Sequence, residues 1–223
     1  MARIGIMGGT FDPVHQGHMI IAQQALTQLG LDKIWFMPAG DPPHKGSEVT
    51  DKHTRLEMLG LAIADNPDFE LFTYEADKER PSYSAVTMTE LDELYPENEF
   101  YFIMGADSLL DFEKWYRPDI ICAHTNLAVA GRNNVPDEKL KNIKCILEEK
   151  YSARIYLIDT PQIEISSSSI RSTLSGKVSK GCRENKKPET YSNRLRRVRY
   201  MLPEPVYKYI SQKELYNVKI DIE

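Results

Sequence analysis

The residues best suited to chemistry stand close together near the N-terminus, in Gly8-Gly9-Thr10-Phe11-Asp12-Pro13-Val14-His15-Gln16-Gly17-His18. Two glycines let backbone amides approach a ligand with no Cβ in the way. Asp12-Pro13 forces an extended turn before the next helical stretch. His15 and His18 are three apart at the opening of that stretch, so both can face one side. There the unsatisfied N–H groups and partial positive charge of a helix N-terminus favour bound phosphate. The loop is neither the GxGxxG fingerprint nor a P-loop, because the GK[ST] element is missing. Zinc would need further ligands, and no neighbouring Cys, His or Glu supplies them at the expected spacing, so no protein-held metal is expected. Histidines and free amides around phosphates imply catalysis by positioning and electrostatic stabilisation.

A second cluster lies far along the chain, in Ile165-Ser166-Ser167-Ser168-Ser169-Ile170-Arg171. Serines ahead of Ile-Arg read as a helix N-cap with hydroxyls and amides aimed at an anion. Arg171 then lies one turn in and offers a forked, permanently charged phosphate donor. A flexible serine linker looks much the same, so this run gains meaning only beside the first loop.

Alternating elements must position these groups. Arg3–Met7, Lys33–Pro38, Phe69–Thr73, Glu99–Met104, Asn126–Ala130 and Arg154–Ile158 read as buried strands from their apolar, β-branched and aromatic content. Gly17–Leu29, Asp51–Asp65, Ser82–Leu94 and Asp137–Lys150 carry helical spacing. This alternation predicts an α/β fold, a Rossmann-like, doubly wound parallel sheet with a small C-terminal helical extension. Residues 1–175 are expected to form the Rossmann-like domain, and 176–223 a helical segment of the same unit. In such folds ligands bind beyond the carboxyl ends of the strands.

Bulk properties narrow the partners. The chain has 223 residues, 41% hydrophobic and 27% charged, enough for a packed core. A net charge of −5 argues against nucleic acid or an anionic membrane, despite a Lys- and Arg-rich stretch over Lys177–Arg199 that reads as basic surface. Cys122, Cys145 and Cys182 are odd in number, far apart and without CxxC spacing, which points to reduced thiols. No run approaches the ~20 apolar residues of a membrane span, and the N-terminal apolar run is too short for a signal peptide. The protein is expected in the cytoplasm, and a homo-oligomer is compatible with its sequence.

The string GGTFDPVHQGH, with its HxGH core, resembles the signature of the nucleotidyltransferase superfamily that includes class I aminoacyl-tRNA synthetases. SSSSIR is similar to that superfamily's second signature, ISSTxIR, with Ser168 in place of the usual Thr. The resemblance implies that His15 and His18 hold the nucleotide phosphates, with Gly8, Gly9, Thr10, Phe11, Ser167, Ser168 and Arg171 completing the ATP site. Three further segments resemble bacterial nicotinate mononucleotide adenylyltransferases: Pro42-Pro43-His44-Lys45, Pro81-Ser82-Tyr83-Ser84, and Gly105-Ala106-Asp107 running on to Trp115-Tyr116. The likeness spans Arg3 to Arg171 and resumes from Arg199 through Tyr216. It implies that Trp115 stacks on the pyridine ring, that amides near Ser84 and Tyr116 take the nicotinate carboxylate, and that Lys45 with His44 meets the acceptor phosphate. Gly105 and Asp107 would contact the ATP ribose and adenosine. ATP and nicotinate mononucleotide are then the substrates, with Mg2+ held mainly by the ATP phosphates.

Departures are an added basic segment around Lys177–Arg196, Ser84 where Thr is common, and Phe112 for a usual leucine. Other acceptors stay open. Phosphopantetheine adenylyltransferases typically show TxGH, and cytidylyltransferases lack PPHK and the GAD…W segment. A non-catalytic nucleotide-binding module is the reading from another class.

Overall fold

The computed structural model describes residues 1–40, 49–131, 136–162, 164–176 and 189–217. Six strands, β1 (Arg3–Gly9), β2 (Lys33–Pro38), β3 (Phe69–Leu71), β4 (Glu99–Gly105), β5 (Asn126–Ala130) and β6 (Ile155–Ile158), form one sheet in the order β3-β2-β1-β4-β5-β6. Every pairing is parallel. The strand order reverses between β1 and β4, so the crevice for a ligand opens beyond Gly9 and Gly105.

Strand alternation divides the core into two layers. Ile4 and Ile6 of β1, with Phe100, Phe102 and Met104 of β4, point to one face. Met7, Tyr101 and Ile103 point to the other. The first face is covered by α3 (Ser84–Leu94), α4 (Ala106–Leu110), α5 (Pro118–His124) and α6 (Asp137–Tyr151). The opposite face carries α1 (Gln16–Leu29), α2 (Lys52–Ile63), α7 (Ser167–Ser175), α8 (Tyr191–Arg197) and α9 (Glu204–Lys213). Local signals set the ends of several helices. The Asp51 side chain accepts from the Thr54 amide at 3.0 Å to start α2. Gly30, at φ 57°, takes the left-handed turn that closes α1.

The expected strands recur with ends shifted by a residue or two, and α1, α2, α3 and α6 fall on the four expected helices. The short α4 and α5 carry too few turns for periodicity to reveal them. One expectation is corrected. The basic stretch is not surface throughout, because Arg194 of α8 is only 7% exposed and donates to Asn217 Oδ1 at 3.1 Å. Its guanidinium lies over Gly176 at the end of α7, where a Cβ would come within 2.0 Å of Nη1. A cation at the C-terminal end of α7 also complements that helix's dipole. Residues 177–188 of the same stretch lie outside the described residues, as does Cys182. Cys122 is buried, which pushes its thiol up to about 11, and Cys145 is exposed.

Gly40, beyond β2, is set by space. A Cβ there would lie 2.6 Å from the carbonyl oxygen of Glu75, a main-chain atom that cannot rotate aside. Gly40→Ala should therefore lower the free energy of unfolding by about 1–3 kcal/mol, as overpacking does. A urea midpoint equal to wild type would show that the two loops can separate without loss.

Candidate active site

The β1–α1 loop turns sharply and holds its turn by packing. Phe11 adopts φ 51°, a left-handed conformation that costs a bulky residue energy. Its buried ring compensates, lying 6.0 Å from Phe36 and edge-on to His18 at 5.1 Å. A cis peptide joins Asp12 to Pro13. His15 then N-caps α1 and is only 3% exposed. His18 sits one turn in, and its Nδ1 accepts from the His15 amide at 3.2 Å. With Nδ1 accepting, the hydrogen of the neutral His18 ring sits on Nε2, which is then a donor. The two imidazoles stack at 3.8 Å between centroids. Gly17 makes room for this, since a Cβ would approach the His15 ring to 3.1 Å. Gly8 is exposed, and neither Gly8 nor Gly9 has a positive φ. Gly8 contributes open main-chain surface, while Gly9 leaves room for the Phe11 ring, which a Cβ would approach to 3.3 Å.

The serine run closes the other side. Ser166 caps α7, accepting from the Ser169 amide at 3.2 Å. Ser167 Oγ donates to the Pro13 carbonyl at 2.9 Å, and Ser168 Oγ lies 3.1 Å from Ser166 Oγ. Arg171 Nη1 donates to the Asp12 carbonyl at 2.5 Å. Two motifs more than 150 positions apart are thus joined directly, and Arg171 is delivered to the loop that carries the histidine pair.

Residues that sequence reasoning passed over hold this loop from behind. Arg55 of α2 is 2% exposed, yet its guanidinium donates to three carbonyls: Thr10 at 2.8 Å, Gly40 at 3.1 Å and Thr50 at 3.1 Å. Burial pulls its pKa below the ordinary arginine value, and the nearby Asp12 charge opposes that shift. The Asp12 carboxylate is also buried, accepting from Tyr216 Oη at 2.7 Å and from the Thr50 amide at 3.2 Å. Nothing in the pattern Lys52-His53-Thr54-Arg55 separates this arginine from an ordinary helix-surface cation.

The remaining expected site residues follow β4 and open α3. Gly105 N-caps α4, and the exposed Asp107 lines, with Lys139 and Asn142 of α6, a cavity of about 420 Å³. Trp115 follows a 3-10 turn instead of lying within a helix. It packs against Phe112 at 5.5 Å and edge-on to Phe102 at 6.0 Å, so part of the indole is core while the residue stays half-buried. Phe102 reaches the space beside Gly8, where a Cβ would lie 3.6 Å from its ring. Tyr116 is exposed, and its ring meets that of Tyr83 at 5.0 Å. Tyr83 N-caps α3 without a side-chain cap bond, leaving the Ser84 end of the helix suited to an anion. The buried Glu75 anchors that end, accepting from Thr87 Oγ1 at 2.7 Å, while burial pushes its carboxyl pKa up. His44 and Lys45, expected at the acceptor phosphate, lie outside the described residues.

A parallel sheet with a stacked histidine pair and an arginine converging beyond β1 defines a nucleotidyltransferase of the HxGH class. The cytidylyltransferase-like family matches residues 6–173. Among curated relatives, the nicotinate-nucleotide adenylyltransferase of Bacillus subtilis is 37% identical over 217 residues, covering 97% of this chain and 99% of its own. The probable nicotinate-nucleotide adenylyltransferase of Lachnoclostridium phytofermentans is 37% identical over 217 residues, covering 97% of this chain and all of its own. In fold, the Plasmodium falciparum nicotinic acid mononucleotide adenylyltransferase complexed with NaAD superposes with a TM-score of 0.73 at 21% identity, covering 97% of this chain and 98% of that one. The chain belongs to the nicotinate-nucleotide adenylyltransferases of the cytidylyltransferase-like family.

Because Arg55 ties three separate segments to one cation, a lysine there keeps the charge but loses the fork. Arg55→Lys should lower turnover by up to about 100-fold through misplacement of the phosphate loop. Turnover at the wild-type level would show that the loop holds its place without the fork.

Proposed function

We propose that this site transfers the AMP moiety of Mg2+-bound ATP to nicotinate mononucleotide, giving nicotinate adenine dinucleotide and pyrophosphate. The observation that carries this reading is the stacked His15–His18 pair at the start of α1, with Arg171 bonded to the same loop. Relatives that align over nearly their whole length bear the name of the same activity.

In the transfer, a phosphate oxygen of nicotinate mononucleotide attacks the α-phosphorus of ATP, and the bond from that phosphorus to the bridging oxygen breaks as pyrophosphate leaves. The acceptor phosphate is already ionised at neutral pH, so neither a protein nucleophile nor a general base is required. His18, with a donor at Nε2, and His15 stabilise charge developing on the α- and β-phosphates. Arg171 takes the departing pyrophosphate, helped by Ser167 and Ser168 at the start of α7. Gly8, Gly9, Thr10 and Phe11 present main chain to the nucleotide, while Gly105 and Asp107 meet its ribose and base. The acceptor lies toward Trp115, whose indole offers a face to the electron-poor pyridine. The free α3 end at Ser84, with Tyr116 beside it, takes the carboxylate. Mg2+ would be held mainly by the triphosphate oxygens and would supply neutralisation of their charge, while the Asp12 carboxylate in the loop accepts from Tyr216 and Thr50. On this reading the reaction belongs in the cytoplasm.

Pyrophosphate release from ATP and Mg2+ should be strong with nicotinate mononucleotide and weak with nicotinamide mononucleotide or 4′-phosphopantetheine. Activity confined to another acceptor would overturn the roles given to Trp115 and Ser84. His18→Ala should reduce turnover by about 10²–10³, the effect of removing one donor to developing charge. A near-normal rate in a folded variant would remove His18 from the mechanism.

A further inference from the structure

The C-terminal tail reaches the phosphate loop from the far end of the chain. After α9 the backbone turns through left-handed conformations at Glu214 and Tyr216, and the Tyr216 hydroxyl donates to Asp12 Oδ1 at 2.7 Å. The other oxygen, Oδ2, accepts from the Thr50 amide at 3.2 Å. Arg171 stands next to this carboxylate, yet its Nη1 donates to the Asp12 main-chain oxygen at 2.5 Å and remains 3.9 Å from Oδ2. A carboxylate 2% exposed beside a guanidinium would normally attract a charge-assisted, bidentate pair. Here each oxygen accepts from a neutral donor, and Arg171 meets the carboxylate only as a long ion pair, with no hydrogen bond to it.

We infer that Tyr216 is a positioning residue for the transfer: its hydroxyl keeps Asp12 from closing its long ion pair with Arg171 into a hydrogen-bonded one, so the guanidinium stays available to the triphosphate. This rests on the adenylyl-transfer reading of the site. Burial and the Asp12 charge push the Tyr216 phenol well above its ordinary value, so it remains a donor throughout the working pH range. Removing the hydroxyl frees Oδ1 to swing toward Arg171 and neutralise the cation that the leaving pyrophosphate needs.

The test uses the full chain with ATP, Mg2+ and nicotinate mononucleotide, comparing wild type, Tyr216→Phe, Asp12→Asn, the double variant and Tyr209→Phe. Tyr209, on α9, bonds Glu57 of α2 and reports loss of a docking contact that does not involve Asp12. Tyr216→Phe should lower kcat/KM for ATP by at least about tenfold, the effect of a lost hydrogen bond to a charged group. Its KM for nicotinate mononucleotide should stay near wild type, its melting temperature should fall by only several degrees, and Tyr209→Phe should retain full activity. With the charge removed, the hydroxyl should no longer matter, so the double variant should match Asp12→Asn and exceed Tyr216→Phe. That first equality can be read even if Tyr216→Phe alone folds poorly. Additive losses in the double variant, or a Tyr216→Phe of normal kinetics, would overturn the inference while leaving the transfer reading intact. An inactive wild type would overturn both.

Discussion

Three carbonyl oxygens from Thr10, Gly40 and Thr50 converge on the buried guanidinium of Arg55, and the geometry of the phosphate loop depends on that convergence. The three carbonyls lie just outside β1, β2 and α2. Buried main-chain oxygens left without donors would each cost on the order of 1–3 kcal/mol. A permanently charged planar fork satisfies all three at once. With those segments held, Phe11 can keep its left-handed conformation and the two histidines can stack on the first turn of α1.

The arrangement also answers how an acidic protein handles a polyanion. Positive potential is concentrated at a few points: the N-termini of α1 and α7, the His15–His18 pair, and Arg171. The acidic Asp12 in their midst would work against this if it faced the ligand. Instead it is buried and turned toward Tyr216 and Thr50, where its charge offsets that of Arg55. The C-terminal segment, which shares the core layer of α1 and α2 through Leu195, Val198, Val206 and Ile210, is therefore continuous with the site.

Much of this was legible in the residues alone. Runs of five or six largely apolar residues bounded by turns located the six described strands, because the central strands of a parallel sheet are buried on both faces. Amphipathic spacing located the four longest of the helices that cover them. The HxGH and serine motifs stood out because their residue types are dictated by phosphate, whose charge and oxygens permit few partners. Trp115 was harder to place: the same indole packs in the core against Phe102 and Phe112 and keeps part of its surface exposed.

By itself, then, the sequence determined the alternation of elements, the sheet class and the chemical identity of the groups proposed to face phosphate, since each follows from local pattern or from ligand chemistry. Only the tertiary structure decided what holds those groups in place. Arg55 looks like a surface cation of a helix, Arg194 like part of a basic stretch, and Tyr216 like a residue of the tail. Their roles come from where the fold buries them and which oxygens it brings within reach, and contacts such as the one from position 216 to position 12 leave no periodic trace along the chain.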